Sequence, residues 1–383
     1  MNVYVRELVS SLAQAGVASD VYTRRWAHHL PEVVEVEPGF RVVHVPAGPV
    51  DLPKEALPEV VDQFAAGVRG RLAGGDGADA LHANYWLSGM AGQRLKHELD
   101  LPLVSTFHTL ARVKAETGDH EPEGRVAAEA EVIGCSDAIL ASCTAEASEL
   151  ERLYGAEPGR IEIVEPGVIH AFFSPGDRAG ARSALRHLGP LAGPVLLFVG
   201  RIQPLKGLDV AVRALTALGD PAAVLVVVGG ASGPGGQAEL TRIHELATGL
   251  GVRDRVRFAD PQPHHLLSTY YRAADVVLVP SRSESFGLVA LEAAACGRPV
   301  VAAAVGGLRT LVDHGRTGFL VEGRDPETFA GHVRRLLRSP DLAAELGANA
   351  ADRARGFRWA TAAGRLRRVY ADLTARSLVE CGA

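Results

Sequence analysis

The sequence predicts an α/β protein made of two doubly wound domains, each built on a parallel sheet. The chain has 383 residues, too many for one ordinary core and enough for two domains of roughly 150–200 residues each. Short valine-rich runs recur, each followed by a turn and a segment with helical period. Residues 187–194 include two glycines and two prolines, which interrupt helices and strands and are typical of a hinge. We therefore expect domains at residues 1–188 and 189–383.

The apolar runs of the second half are continuous, which is typical of parallel strands buried on both faces. The expected strands there are Val195–Val199, Val224–Val228, Arg255–Phe258, Val276–Pro280 and Val300–Ala304. The first half repeats the pattern less clearly, with expected strands at Ser19–Tyr22, Arg41–Val45, Ala78–His82, Leu103–Phe107, Ala138–Ala141 and Ile161–Val164. We expect the last helix of the chain to return toward the first domain.

The beginning of the chain departs from this pattern. Val5, Leu8 and Leu12 predict a first helix that ends near Gly16. Doubly wound domains normally begin with a strand in the middle of the sheet. We therefore expect the first strand of this domain to be missing.

Composition excludes several classes of function. Lys plus Arg number 40 and Asp plus Glu number 45, so the formal charge is −5 and offers no diffuse basic surface for nucleic acid. Apolar runs stay well below the ~18 residues that a membrane span needs. Cysteines 135, 143, 296 and 381 lack metal-ligand spacing, which favours reduced, packing thiols in a cytoplasmic protein.

The first candidate site follows the strand at Val195–Val199. The segment Gly200–Gly207 places Arg201 and Lys206 at the carboxyl end of that strand, where open α/β sheets bind ligands. A guanidinium fork and a flexible ammonium together suit a diphosphate. The alternative is a pair of solvated surface cations.

The second candidate site follows the strand at Val276–Pro280. The helix that begins within Ser281–Glu292 offers unpaired N–H groups at its first turn, a ready anion site. Glu284 lies in the loop, whereas Glu292 lies within an otherwise apolar helix and requires a partner. That partner is either a structural ion pair or the hydroxyls of a ribose.

The first half carries weaker signals. His108 ends a strand and could be a general base or a hydroxyl-binding group, although a hydrogen-bonded core imidazole is an equal alternative. The glycine-rich segment 229–236 could hold a phosphate or simply be a flexible loop. Residues 134–138 approach the nucleophile-elbow pattern but lack its second glycine, which disfavours a serine hydrolase.

Together, Gly200–Lys206 and Ser283–Glu292 closely resemble the retaining nucleotide-sugar glycosyltransferases of family 4. The Glu-x7-Glu spacing of Glu284 and Glu292 is characteristic of that family. The similarity covers nearly the whole chain. The resemblance implies the GT-B fold, two Rossmann-like domains with parallel sheets facing an interdomain cleft, here without the first strand of the N-terminal domain. It also implies that no metal or other cofactor takes part.

The resemblance implies UDP-N-acetylglucosamine as the donor. Arg201 and Lys206 would hold its diphosphate, Glu284 would lie near the sugar, and His108 would face the transferred sugar. The four residues expected to act in catalysis are His108, Arg201, Lys206 and Glu284. Those expected to bind the donor are Arg201, Lys206, Glu284, Gly287, Leu288 and Glu292, with Glu292 on the ribose hydroxyls.

Within the family, the chain is most similar to members that use 1D-myo-inositol 3-phosphate as the acceptor in mycothiol biosynthesis. The similarity rests on Met1–Leu8, Asn84–Gly89, His108–Leu110, Val199–Lys206 and Ala302–Leu308. It implies that the acceptor is bound by Asn2, Lys54, Tyr85, Thr109 and Arg125. The stretch 116–124 is shorter than in the family.

Three departures accompany the resemblance. The family's Gly-Gly dipeptide would stand just before Met1 and is absent from the sequence. Our hypothesis is therefore that the start codon was assigned at an internal methionine. Ile169 replaces a usual aspartate, and Arg282 stands where tyrosine is common.

The alternatives are a family 4 enzyme with another cyclitol or aminocyclitol acceptor, an inactive nucleotide-sugar binder, and a metabolite hydrolase. The expected partners are small molecules, without nucleic acid or a membrane span, and a homodimer is possible.

Overall fold

The chain forms two compact units. The computed structural model describes residues 2–75, 77–119, 121–233 and 235–381. One unit comprises Met1–Gly167 with Trp359–Ala383, and the other comprises Val168–Arg358. The division precedes the expected boundary at 188/189 because residues after 168 already pack in the second unit, where Arg182 pairs with Asp275 at 2.6 Å.

The described residues of the first unit form seven strands in two sheets. The strands are β1 (Ser19–Arg24), β2 (Val33–Glu37), β3 (Phe40–Val45), β4 (Leu81–Asn84), β5 (Leu103–Thr106), β6 (Ala138–Ala141) and β7 (Ile161–Ile163). Their orders are β1-β3-β2 and β4-β5-β6-β7. Only β2 is antiparallel to its neighbour. Our prediction omitted β2 because its valines are largely exposed on an edge strand.

Six parallel strands form one sheet in the described part of the second unit. They are β8 (Val195–Val199), β9 (Val224–Val228), β10 (Val256–Ala259), β11 (Val276–Val279), β12 (Val300–Ala303) and β13 (Gly318–Val321), in the order β10-β9-β8-β11-β12-β13. The strands β8 and β11 are neighbours, so the loops that follow them lie side by side. The four-residue β13 escaped prediction because so short a run has no clear period.

Fifteen α-helices lie in the described parts of the chain. In the first unit they are α1 (Asn2–Gln14), α2 (Val61–Ala73), α3 (Trp86–Leu99), α4 (Ala111–Glu116), α5 (Glu123–Cys135), α6 (Thr144–Tyr154) and α15 (Trp359–Thr374). In the second unit they are α7 (Arg178–Ala184), α8 (Leu208–Leu218), α9 (Gly236–Gly249), α10 (Leu267–Ala273), α11 (Leu288–Ala295), α12 (Leu308–Leu311), α13 (Pro326–Arg338) and α14 (Pro340–Ala354).

Apolar cores hold the elements of each unit together. In the first unit, α2 and α3 cover both sheets, since Val43 and Val45 of β3 pack in one cluster with Leu81 of β4. The first described element is α1, which buries Leu8 and Leu12 as its periodicity predicts. In the second unit, α8 and α13 pack with the central strands. No described helix is long and apolar enough to cross a membrane.

The cysteines differ from the prediction of four reduced thiols. Cys135 at the end of α5 and Cys381 form a disulfide. Cys143 and Cys296 are buried outside it, as expected for packing residues. The prediction was wrong for the pair because 246 residues separate its members, and only the fold brings them together.

A half-buried histidine links α15 to the β4–β7 sheet of the first unit. His82 contacts the Tyr370 hydroxyl through Nδ1 at 2.7 Å and Thr106 Oγ1 through Nε2 at 2.9 Å. Trp359, at the other end of α15, packs edge-on against Tyr4 of α1. Burial lowers the pKa of His82 to about 4, so its imidazole is neutral at neutral pH.

We expect the first unit to lose stability as the pH falls from 6.5 to about 4. In that window the unfolded chain binds a proton on His82 that the folded chain does not, so the free energy of unfolding falls. Urea denaturation at several pH values should show a shallower pH dependence in a His82→Gln variant. A His28→Gln variant, altered at an exposed position, is the control and should keep the wild-type slope. Equal slopes in wild type and His82→Gln would contradict the assignment.

Candidate functional site

Glycines allow the loops after β8, β9 and β11 to approach one another closely. Gly207 has a φ of +72°, and a Cβ there would lie 2.1 Å from the carbonyl oxygen of Pro280. Gly229 has a φ of +148°, and a Cβ there would lie 1.9 Å from the carbonyl oxygen of Gly200. Only glycine fits such positions without displacing the backbone. The loops therefore form one continuous surface at the carboxyl end of the sheet.

Lys206 and Glu284 meet across two of these loops. The Nζ of Lys206 lies 2.7 Å from Oε2 of Glu284, and both side chains are about one-fifth exposed. The Ser281 hydroxyl donates to the same carboxylate oxygen at 3.2 Å. The structure thus joins the two predicted motifs, while Arg201, in the same loop as Lys206, is exposed. An ammonium held by a carboxylate and an exposed guanidinium in the same loop can receive a diphosphate.

Glu292 lies on α11 with a partner for each carboxylate oxygen. His264 Nε2 is 2.7 Å from Oε1, and the Tyr271 hydroxyl donates to Oε2 at 2.7 Å. The carboxylate is almost fully buried, and burial raises the pKa of Tyr271 well above its ordinary value. The predicted need for a partner is met, because each oxygen is hydrogen-bonded. Each oxygen keeps a second lone pair that could accept from a ribose hydroxyl.

The start of α11 is fixed by Gly287, which caps the helix with a φ of +102°. A Cβ at this position would lie 2.7 Å from Cδ2 of Leu308. Leu288 begins the helix and is half-buried. The Gly307 amide donates to the carbonyl oxygen of Glu284 at 2.9 Å, which holds the preceding loop. Gly287 and Leu288 are thereby placed beside Glu284.

Sequence reasoning missed Arg324 in this unit. Its guanidinium lies 3.1 Å from Asp209 at the start of α8 and 3.3 Å from the carbonyl oxygen of Pro280. Burial lowers its pKa. Arg324 follows β13, a strand that was not predicted, so its position at the sheet edge could not be read from the sequence.

In the first unit, two residues at the ends of neighbouring strands have left-handed backbone. Tyr85, after β4, has a φ of +81°, and His108, after β5, has a φ of +61°. Positive φ in a non-glycine residue costs on the order of 1–3 kcal/mol and is concentrated at functional sites. Asp100 at the end of α3 also has a positive φ, +54°, so the roles of Tyr85 and His108 in binding stay predictions.

His108 lies at the ends of β4 and β5, where it contacts a polar and an aromatic side chain. Its Nε2 is 2.9 Å from Oδ1 of Asn84, and the Tyr4 ring packs edge-on against it at 4.8 Å between centroids. Burial lowers the pKa of His108 to about 3. A neutral imidazole can exchange hydrogen bonds with a sugar hydroxyl but cannot serve as a proton donor of the imidazolium type. Asn84, which sequence reasoning did not assign, directly follows the last buried strand residue and could have been found from that position.

Arg125 contacts two of the other residues that are expected to bind the acceptor. Its Nη2 donates to the Thr109 carbonyl oxygen at 2.9 Å and lies 3.1 Å from the Thr109 hydroxyl. The guanidinium lies over the Tyr85 ring, 5.1 Å from its centroid. Tyr85, Thr109 and Arg125 therefore form one cluster.

Two carboxylates balance the charge of Arg125, whose side chain is only 2% exposed. Glu129 accepts from Nε at 2.7 Å, and Glu121 lies 3.1 Å from Nη1. Glu121 also pairs with Lys114. Although burial acts to raise it, these two cations hold the pKa of Glu121 below its ordinary value.

The remaining two predicted acceptor residues lie on other elements of this unit. Lys54 is exposed at the start of a 3-10 helix, Lys54–Val60, and Asn2 is exposed at the start of α1. Among the described contacts, none joins either residue to the Arg125 cluster. Their part in binding stays a prediction.

Two family models match the chain. The "Glycosyl transferase 4-like domain" matches residues 1–167, and "Glycosyl transferases group 1" matches residues 187–353. Similar curated proteins include a D-inositol 3-phosphate glycosyltransferase from Xylanimonas cellulosilytica, 49% identical over 98% of this chain and 92% of that protein. Another, D-inositol 3-phosphate glycosyltransferase 2 from Catenulispora acidiphila, is 46% identical over 97% and 89%.

Solved structures show the same architecture. Sucrose-phosphate synthase from Thermosynechococcus elongatus superimposes with a TM-score of 0.90 at 34% identity, over 98% of this chain and 93% of that one. Anabaena HepE, solved with UDP and glucose, has a TM-score of 0.78 at 22% identity over 96% of each chain and shares the fold. The chain therefore belongs to the glycosyltransferases that combine a 4-like domain with a group 1 domain, and it is a hexosyltransferase with the GT-B fold.

Proposed function

We propose that the protein transfers N-acetylglucosamine from UDP-N-acetylglucosamine to 1D-myo-inositol 3-phosphate with retention of configuration. The observation that carries the proposal is the Lys206–Glu284 pair at the carboxyl ends of β8 and β11, with exposed Arg201 in the same loop as Lys206. The names of the curated relatives support the inositol phosphate acceptor. The donor and the stereochemistry follow from the family resemblance of the two motifs.

The cations of the second unit act on the leaving group. As the bond between the anomeric carbon and UDP breaks, negative charge develops on the diphosphate. Charge-assisted hydrogen bonds from Arg201 and Lys206, worth about 1.5–3 kcal/mol each, stabilise that charge. Glu284 holds the Lys206 ammonium in place before the donor arrives. Glu292, fixed by His264 and Tyr271, offers its remaining lone pairs to the ribose hydroxyls.

The reaction forms two bonds and breaks two: the anomeric carbon exchanges its bond to UDP for one to the acceptor oxygen, and the acceptor proton moves to the leaving phosphate. The acceptor hydroxyl oxygen bonds to the anomeric carbon from the face that UDP leaves, which gives retention. The hydroxyl proton passes to the departing phosphate oxygen. His108, held neutral by burial, orients the transferred sugar through hydrogen bonds.

The first unit supplies the groups that recognise the acceptor. Tyr85, Thr109 and Arg125 form the cluster, and Lys54 adds an exposed ammonium from another element. Glu121 already pairs with Lys114 and Arg125, so an arriving phosphate competes with this carboxylate for the same cations. We also propose a cytoplasmic location and a homodimer.

A Lys206→Ala variant should lower kcat by about 10²–10³-fold, as expected when one group that stabilises developing negative charge is removed. Steady-state rates of UDP release would measure the effect. An Arg338→Ala variant removes an exposed cation from the end of α13 and should retain wild-type turnover. Normal turnover in Lys206→Ala would refute the role of this ammonium.

A Lys54→Ala variant should raise the KM for inositol 3-phosphate about tenfold, because it removes one charge-assisted phosphate contact. The KM for the donor should not change. Unphosphorylated myo-inositol is the control acceptor, since its KM should be equal in wild type and variant. If the KM for inositol 3-phosphate stays the same, Lys54 does not bind the phosphate.

A Glu121→Gln variant should lower the KM for inositol 3-phosphate by roughly threefold to tenfold, since removing the carboxylate leaves the nearby cations less neutralised. Glu116→Gln is the matched control, because Glu116 pairs with Arg152 on the exposed surface. An unchanged KM, or an equal change in the control, would show that the phosphate binds away from Arg125 and Lys114.

A further inference from the structure

A histidine and two cysteines meet in the first unit, in a cluster that neither candidate substrate site uses. Cys135 is buried at the end of α5, Cys381 is half-buried in the tail after α15, and His97 is exposed near the end of α3. The Cα atoms of the two cysteines are 4.5 Å apart, within the range for a disulfide. A covalent link therefore joins the segment after α15 to the end of α5.

His97 is placed to act on the sulfur of Cys381. Its Nε2 lies 2.9 Å from Sγ of Cys381 and 3.6 Å from Sγ of Cys135. A neutral imidazole at that distance can take the proton of a thiol and leave a thiolate, which is the nucleophile in thiol–disulfide exchange. The half-buried Cys381 is the sulfur that a small molecule can reach.

A second, non-covalent contact holds the tail at the same place. The Val379 amide donates to Oδ1 of Asp137 at 2.7 Å. Asp137 is itself fixed, since its Oδ2 accepts from the Leu103 amide and pairs with buried Lys96 at 2.8 Å. The Lys96 ammonium also donates to the carbonyl oxygen of Cys135 at 2.8 Å. This buried polar anchor fixes the tail two residues before Cys381, in addition to the disulfide.

We infer that Cys135 and Cys381 form an exchange site for a low-molecular-weight disulfide, RSSR, with His97 as the base. The Cys381 thiolate attacks one sulfur of RSSR, which releases RS⁻ and forms a mixed disulfide. Cys135 then attacks the Cys381 sulfur and releases the second RS⁻. The two cysteines lose two electrons and two protons in total, and two RSH molecules are formed. An excess of RSH drives the same steps in reverse.

The Cys135–Cys381 disulfide restrains α15, the helix that packs on Tyr4 and, through it, on His108. The tail follows α15, whose Trp359 packs on Tyr4, and Tyr4 packs on the His108 ring. A link across 246 residues also restricts the unfolded chain, so the closed form should be the more stable one. The redox state of the pair therefore sets how firmly α15 is held.

A metal site is the competing use of the same atoms. Two sulfurs and one imidazole give three ligands, whereas structural zinc sites almost always have four. A disulfide requires only the two sulfurs. The ligand number therefore favours exchange over metal binding, and the experiment below separates the two.

The test measures thiols and stability in the full chain. After equilibration with glutathione disulfide, thiol titration in denaturant should find two thiols, Cys143 and Cys296, and after reduction it should find four. Reduction should lower the melting temperature by roughly 5–10 °C. Cys381→Ser should abolish this difference, whereas Cys296→Ser, the matched control, should keep it.

Mass spectrometry can locate the link directly. Trypsin places Cys135 and Cys143 in one peptide, residues 126–152, so the mapping uses a Cys143→Ser variant. That variant should show a disulfide between this peptide and residues 377–383. A His97→Gln variant should close about tenfold more slowly in glutathione disulfide and reach the same final extent.

Three results would overturn the inference. Four thiols after oxidation would show that the link does not form. An equal effect of reduction on the melting temperature of Cys381→Ser would place the sensitivity elsewhere. Stoichiometric zinc in the wild type that is lost in Cys381→Ser, together with protection of both thiols from glutathione disulfide, would establish a metal site instead.

Discussion

The close approach of two loops in the second unit is the constraint on which the donor site depends. Gly207 lies so near the Pro280 carbonyl that no Cβ fits between them, and the Arg282 amide donates to the Leu205 carbonyl oxygen at 2.8 Å. These backbone contacts bring Lys206 and Glu284 together although 78 residues separate them. The site is thus preorganised by the backbone, which reduces the reorganisation needed when charge develops on the leaving group.

In the first unit, backbone strain and burial also preorganise the candidate site. Tyr85 and His108 have left-handed backbone at adjacent strand ends, and Arg125 is fixed by the Thr109 carbonyl and by two carboxylates. Each of these arrangements is costly in isolation. The surrounding hydrogen bonds hold the side chains in one geometry, and desolvation keeps the half-buried His108 neutral.

The sequence predicted those parts of the fold that depend on local pattern. Continuous apolar runs identified β8, β9, β11 and β12, and the turn residues after β8 identified the cations. The exposed edge strand β2 and the short β13 have no such pattern. The partners of Glu292 were also beyond prediction, since His264 and Tyr271 lie 28 and 21 residues before it without a motif. The pairing of Cys135 with Cys381 could not be predicted either, because only the tertiary structure brings these residues together.

A crystal structure with UDP-N-acetylglucosamine is the most direct test of the central claim. We expect the diphosphate oxygens to lie within about 3 Å of the Arg201 guanidinium and the Lys206 ammonium, with the ribose hydroxyls at Glu292. A diphosphate bound away from both cations would contradict the account, even if the protein transferred the sugar.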